Sequence, residues 1–204
     1  MQGNELLVDH YHKTYDLTFS LWEKRNNNLL ILLIVVGFSA LLTFNVAEAQ
    51  PLLVDIIAKL CGVSDATRIT ELRKSFPYGI IQSIFIIVVF YLMLNLYQKT
   101  RFIRRSYEYL SGVEDDIRHA LSLKSPSISF TREGSFYKKD HTFTAMITGL
   151  CYVFILGSLL FSFLGMRLVT DWNSNQNMIL IIDSLLSLGV TYFFLAYSLI
   201  SLKK

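Results

Sequence analysis

Charged side chains are scarce in this chain, and three long stretches lack them altogether. Asp, Glu, Lys and Arg make up 17% of the 204 residues, against about 25% in soluble domains. None of them occurs in the apolar runs Leu29–Phe44, Gly79–Tyr97 and Phe143–Gly165. Because one charged side chain at the bilayer centre costs about 2.5–3.5 kcal/mol, these runs indicate membrane-spanning helices and exclude an ordinary soluble domain.

Recognisable catalytic motifs are also absent. The sequence has no Gly-rich phosphate loop, no zinc-protease motif, no CxxC pair and no nucleophile elbow. The four histidines are scattered, and no two carboxylates are spaced for acid–base work. We therefore predict no enzymatic activity, no metal site and no cofactor.

A fourth apolar run, Met178–Leu202, carries a single acid, Asp183. Each run is close to the about 20 residues that a helix needs to cross a bilayer. The predicted fold class is an all-α membrane protein with four transmembrane helices and helical cytoplasmic extensions. The predicted segments are a cytoplasmic amphipathic helix (1–28), a first transmembrane pair (29–97) with a periplasmic connection at 45–78, a cytoplasmic module (98–142), and a second transmembrane pair (143–204) with an outer connection at 166–177.

The distribution of basic residues predicts the orientation. Of the 19 Lys and Arg residues, 14 lie in segments 1–28 and 98–142 and in the C-terminal tail, whereas 45–78 and 166–177 hold four and one. The positive-inside rule then places both termini in the cytoplasm. The net charge of +3 is mild and does not predict direct nucleic-acid binding.

The N-terminal segment predicts a helix with an aromatic face. Spacings of four, four, four and three residues bring together Leu7, Tyr11, Tyr15, Phe19 and Trp22. Two interpretations stay open. The face packs against another helix of the same bundle, or it is a docking surface for a partner.

The central segment begins as a helical continuation of the second span. Arg101, Arg104 and Arg105 form a basic turn there, which predicts anchoring to anionic lipid or, alternatively, an anion site. Residues 127–131 alternate polar and apolar side chains like a short strand. Arg132 follows them and is predicted to be a structural or binding element of the cytoplasmic module.

Polar side chains inside the apolar runs form the second candidate site. Asp183, Ser187 and Thr191 share one face of the fourth span, and Thr148 belongs to a similar row on the third. An intramembrane ionisable residue is a functional hypothesis by default. The alternative is that these groups tie helices together by hydrogen bonds. Glycines spaced by eight on the third span favour close helix approach and a homo-oligomer, a tetramer or a similar assembly.

Two short segments and the overall layout carry a family resemblance. YEYLSGVEDDI at 107–117 and TREGSFY at 131–137 lie in an arrangement of two spans, a cytoplasmic module and two spans. This chain resembles small four-span bacterial membrane proteins of antiphage defence. They include effectors of cyclic-nucleotide-triggered systems and the membrane subunit of Kiwa-type systems, which works with a cytoplasmic DNA-binding partner.

The resemblance implies a bacterial inner-membrane location and two alternative functions. The first is an oligomeric, channel-like effector that perturbs the membrane on an infection signal. The second is a sensor or scaffold that recruits a soluble cytoplasmic partner, possibly one that binds DNA. The resemblance assigns no site residues.

Overall fold

The fold consists of six helices in the part of the chain that the computed structural model describes, residues 2–44, 46–123, 129–131, 143–174 and 177–202. No strand occurs in these ranges, and four of the helices are long and apolar enough to cross a membrane. The prediction of an all-α protein with four transmembrane helices is confirmed. The helices are α1 (Gln2–Phe44), α2 (Val46–Leu60), α3 (Ala66–Ser75), α4 (Tyr78–Ala120), α5 (Phe143–Asn173) and α6 (Asn177–Leu202).

Two of the apolar helices are much longer than a bilayer is thick. Helices α1 and α4 have 43 residues each, which at 1.5 Å per residue is about 65 Å. The hydrocarbon core measures about 30 Å. Each helix therefore continues well beyond its apolar run. The sequence predicts both extensions, from the helical pattern at 4–25 and from a second helical pattern at 103–121 that only Gly112 interrupts.

Helix α5 is longer than its apolar run. The sequence predicted an outer connection at 166–177, but the helix continues to Asn173. Arg167 and Asp171 therefore lie inside a candidate membrane span, beyond the end of the apolar run at Gly165. The two charges do not end the helix because they stand one turn apart and form an ion pair.

For the connection between α1 and α4 the sequence predicts two short helices, one with Pro51 in its first turn and one that starts at residues 64–67, and the structure contains two. Helix α2 begins at Val46, so Pro51 lies in its second turn and not in its first. The helix is ended by Gly62, whose φ of +71° lets Val63 N donate to Ala58 O at 2.8 Å. Asp65 caps α3 by accepting a hydrogen bond from Thr67 N at 3.0 Å.

The chain forms two compact units, and each contains parts of α1, α4, α5 and α6. Unit 1 comprises Met1–Leu30, Leu94–Phe154 and Phe193–Lys204. Unit 2 comprises Ile31–Met93 and Ile155–Tyr192.

Unit 1 has its core between the extensions of α1 and α4. Tyr11 is buried there with Leu110, Val113 and Ile117. Its hydroxyl donates to Glu114 Oε1 at 3.0 Å. Residues 129–131 join this core, since Phe130 packs edge-on against the Tyr11 ring with centroids 5.9 Å apart.

Close helix contact in unit 2 depends on Gly189 of α6. A Cβ atom at this position would lie 2.6 Å from Phe90 Cε2 on α4, which is closer than side chains tolerate. Gly165 of α5, one of the glycines expected to allow close approach, has no atom within 4 Å of such a Cβ position. Gly165 thus does not mark a contact within the chain, whereas a Cβ atom at Gly149 of the same pattern would lie 4.0 Å from Leu202 Cδ2 of α6.

We expect Gly189→Ala to destabilise unit 2, because the added methyl group must displace the Phe90 ring. Overpacking of this kind costs about 1–3 kcal/mol. Thermal unfolding in mild detergent measures the effect, with Gly37→Ala as the matched control, since a Cβ atom at Gly37 in the same unit would meet nothing within 4 Å. An unchanged melting temperature for Gly189→Ala would contradict the close packing of α4 and α6.

Candidate functional site

The guanidinium of Arg167 is buried among the spanning helices of unit 2. Its side chain is 2% exposed, although arginine is one of the least readily buried residue types. The acceptors that surround it come from α4, α5 and α6, and satisfy donors on all three nitrogens. Nε donates to Asp183 Oδ2 at 3.0 Å, and Nη1 donates to Gln82 Oε1 at 2.7 Å. Nη2 donates to Gly79 O at 3.0 Å and to Ser83 Oγ at 3.2 Å, and it lies 2.8 Å from Asp171 Oδ1. We call Arg167, Asp171, Asp183, Gln82 and Ser83 the Arg167 cluster.

Helix α1 is also joined to this cluster. Gln82 Nε2 lies 3.4 Å from Thr43 Oγ1 of α1. Beside it, the hydroxyl of Tyr78 donates to Leu42 O at 2.6 Å. The start of α4, the end of α1, the end of α5 and the start of α6 are therefore linked through polar groups in one buried region.

The cluster carries unequal numbers of positive and negative groups. Arg167 faces two carboxylates, Asp171 and Asp183, whose side chains are 2% and 0% exposed. Both contact the same guanidinium nitrogen, Nη2, at 2.8 and 3.0 Å. Transfer of an ion out of water is costly, and only close pairing offsets the cost. The mutual pairing therefore explains how charged side chains persist in this apolar region.

Three buried polar atoms in this region have no hydrogen-bond partner among the residues that the structure describes. They are Asp171 Oδ2, Asp183 Oδ1 and Ser187 Oγ. Buried polar atoms are paired in the great majority of cases. Two of the three belong to the carboxyl groups that pair with Arg167.

The intramembrane residues predicted from the sequence are only partly brought together. Asp183 and Ser187 are buried at 0% and 5% exposure, one helix turn apart in unit 2. Thr191 is half-buried in the same unit, whereas Thr148 is exposed and belongs to unit 1. Thr148 is therefore not part of the Arg167 cluster, because the row of hydroxyls along α5 passes from one unit into the other.

Sequence reasoning missed Arg167, Asp171, Gln82 and Ser83. The first two were assigned to a loop, although an Arg and an Asp four residues apart next to an apolar run are typical of a helix that continues. Gln82 and Ser83 lie in a charge-free run, where single polar residues carry no distinctive pattern.

The aromatic residues predicted on α1 have different environments. Tyr11 is buried against α4, and Tyr15 stacks on it with ring centroids 6.5 Å apart. The packing interpretation therefore holds for these two. Trp22 is 39% exposed. It stacks on Phe19 at 6.0 Å, and the Arg25 guanidinium lies 5.9 Å from its ring centroid.

The predicted basic turn is largely accessible. Arg101 and Arg105 are exposed, and Arg104 forms an ion pair of 3.5 Å with Glu108 one turn further along α4. Arg132 lies outside the described residues.

Comparison of the chain with protein-family models, with curated proteins and with solved structures gives no match. The fold and the cluster define a multi-pass helical membrane protein with a buried ionic cluster. Its function is argued from the chain's own residues, and the Arg167 cluster is the primary candidate site because it concentrates buried charge.

We expect Arg167→Ala to destabilise the protein by about 3–5 kcal/mol, because the buried negative charge of the cluster loses its counter-charge. The matched control is Arg73→Ala, which breaks an exposed ion pair of 2.7 Å to Asp55 and should cost less than about 1 kcal/mol. Combining Arg167→Met with Asp171→Asn and Asp183→Asn should restore much of the loss. Equal melting temperatures for the two arginine variants would contradict the burial of the cluster.

Proposed function

We propose that this protein is an integral inner-membrane component of bacterial antiphage defence, acting as an oligomeric, channel-like effector that perturbs the membrane on an infection signal. The observation that carries the proposal is the Arg167 cluster. Ionisable residues within spanning helices are expensive and mark ion or proton pathways in many membrane proteins. The assignment to antiphage defence comes from the resemblance of residues 107–117 and 131–137.

The burial of the Arg167 cluster supports an ion path that is gated rather than permanently open. Arg167, Asp171 and Asp183 are at most 2% exposed, so water does not reach their charges in this conformation. Separation of α4, α5 and α6 would hydrate these groups, and hydration offsets the loss of their mutual pairing. A ligand or partner that favours the separated state would shift the population towards it.

An outward-facing small residue supports self-association. Gly165 of α5 is exposed, and a Cβ atom there would meet nothing within 4 Å. In lipid, small residues let the backbone of a second helix approach closely, and this packing is the main associating force. A second copy of the chain fits this surface. Native mass spectrometry that finds only monomers across mild detergents would contradict the assembly.

The effector function predicts that substitutions in the Arg167 cluster, or one helix turn from it at Ser187, suppress ion flux. We expect Asp183→Ala and Ser187→Leu to reduce toxicity in a bacterial host and dye or ion release from reconstituted vesicles, while insertion is retained. Thr148→Val is the control, since Thr148 is exposed in unit 1. Unchanged membrane potential on overexpression and activation of the wild type would argue against a channel.

A second candidate function is a sensor or scaffold that recruits a soluble partner. The exposed Arg101 and Arg105 on α4 favour it, together with the exposed Trp22 on α1. Arginine and tryptophan are common anchors of protein interfaces. In this function the chemistry resides in the partner, and the connection at 45–78, which contains α2 and α3, faces the periplasm.

The scaffold function predicts a partner that a charge reversal releases. We expect a pull-down in mild detergent to recover a stoichiometric soluble protein, and the double variant Arg101→Glu with Arg105→Glu to lose it. Arg68→Glu is the matched control, an exposed arginine on α3 on the opposite predicted side. Retention of the partner by the double variant would show that another surface binds it.

A further inference from the structure

The two aspartates of the Arg167 cluster have very different surroundings. Asp183 Oδ2 accepts from Arg167 Nε and Ser83 Oγ, both at 3.0 Å, and lies 3.0 Å from Arg167 Nη2. Two hydrogen-bond donors and a second contact with the guanidinium on one oxygen are the surroundings of an ionised carboxylate. Asp183 therefore holds the negative charge that balances Arg167.

Asp171 lacks such support. Its Oδ1 contacts Arg167 Nη2 at 2.8 Å, and its Oδ2 has no hydrogen-bond partner among the described residues. Asp171 Oδ1 and Asp183 Oδ2 lie 2.8 and 3.0 Å from the same nitrogen, Arg167 Nη2, so the two carboxyl groups are close neighbours. A second full negative charge here would face Asp183 in a region that excludes water, and like charges so close disfavour joint ionisation.

The two unpartnered carboxyl oxygens suggest how the surplus charge is removed. Asp171 Oδ2 and Asp183 Oδ1 each lack a donor, and a single proton between the two carboxyl groups would supply one. We propose that the cluster is a one-proton binding site, in which Asp171 is a neutral carboxylic acid that donates a hydrogen bond to the Asp183 carboxylate. The cluster then has no net charge, since Arg167 and Asp183 balance each other.

The other groups around the pair do not provide an alternative proton. On α4, Gln82 and Ser83 are not titratable near neutral pH. The Tyr78 hydroxyl donates to Leu42 O at 2.6 Å. The α1 residue that joins the cluster is Thr43. Among the described residues that contact the cluster, the charged and acidic groups are therefore Arg167, Asp171 and Asp183.

If the protein is the gated channel proposed above, the proton site predicts that opening releases a proton. The existence of the site does not depend on that proposed function. Separation of α5 from α6 would break the bond between the two carboxyl groups and admit water. The Asp171 acid would then ionise, with its O–H bond breaking and the proton passing to water. Opening would release one proton for each chain.

Infrared spectroscopy of the purified protein tests the site directly. We expect the wild type at neutral pH to show the carbonyl stretch of a protonated, hydrogen-bonded carboxylic acid, which shifts in heavy water. Asp171→Asn should abolish this band. Asp55→Asn, which alters an exposed acid on α2, should retain it. A wild type without the band, or a band that persists in Asp171→Asn, would overturn the proposal.

Stability measurements separate a proton from a bound metal cation. Asp171→Asn mimics the neutral acid and should melt within a few degrees of the wild type at neutral pH, whereas Asp183→Asn should melt clearly lower. Replacing choline chloride by sodium chloride at equal ionic strength should leave the wild-type melting temperature unchanged. A sodium-dependent rise that Asp171→Asn removes would identify a sodium ion as the occupant and overturn the proton site. Neither measurement depends on ion flux, so failure of the effector function leaves both informative.

Discussion

The burial of one guanidinium group is the constraint on which the rest of unit 2 depends. Arg167 is 2% exposed, and an unpaired charge in that position would cost several kcal/mol of the about 5–15 kcal/mol that stabilises a folded domain. Its acceptors must therefore come from the neighbouring helices at fixed positions. The requirement sets the register of α4 through Gly79, Gln82 and Ser83 and that of α6 through Asp183. Apolar packing alone is far less selective about register, because it is not directional.

Under the proposed channel function, the same interaction would give the helices two well-separated arrangements. The paired arrangement keeps water out, whereas any sizeable separation must hydrate all the charges of the cluster, and intermediate separations leave them partly unpaired. Such a balance favours a discrete transition over gradual deformation. Gly189 adds to the closed arrangement, since its missing side chain lets Phe90 approach α6. The proposed channel function and the proposed proton site both derive from this one region, although they can fail independently.

Unit 1 follows a different principle. Its described core is aromatic and aliphatic, with a hydroxyl–carboxylate contact between Tyr11 and Glu114. Because Tyr11 and Tyr15 pack onto the α4 extension, these residues order the unit, and a partner surface would have to use the groups that stay accessible. These are Trp22, Arg101 and Arg105. Because Tyr11 and Tyr15 pack within the unit, the scaffold hypothesis depends on fewer side chains than the aromatic pattern of α1 alone indicates.

The sequence by itself determined the class and the number of spanning helices, because the exclusion of charge from long runs follows from the cost of burying it in lipid. It also predicted the long extensions of α1 and α4 and the two helices of their connection, since helical periodicity and the residues that start a helix are local signals. Only part of the candidate site could be predicted from the sequence. Asp183 and Ser187 could be identified as polar residues in an apolar run, but Arg167 and Asp171 resembled a loop, because a charge near the end of a run reads as its boundary. Only the tertiary structure decided that these charges are buried, since pairing between α4, α5 and α6 depends on residues far apart in the chain.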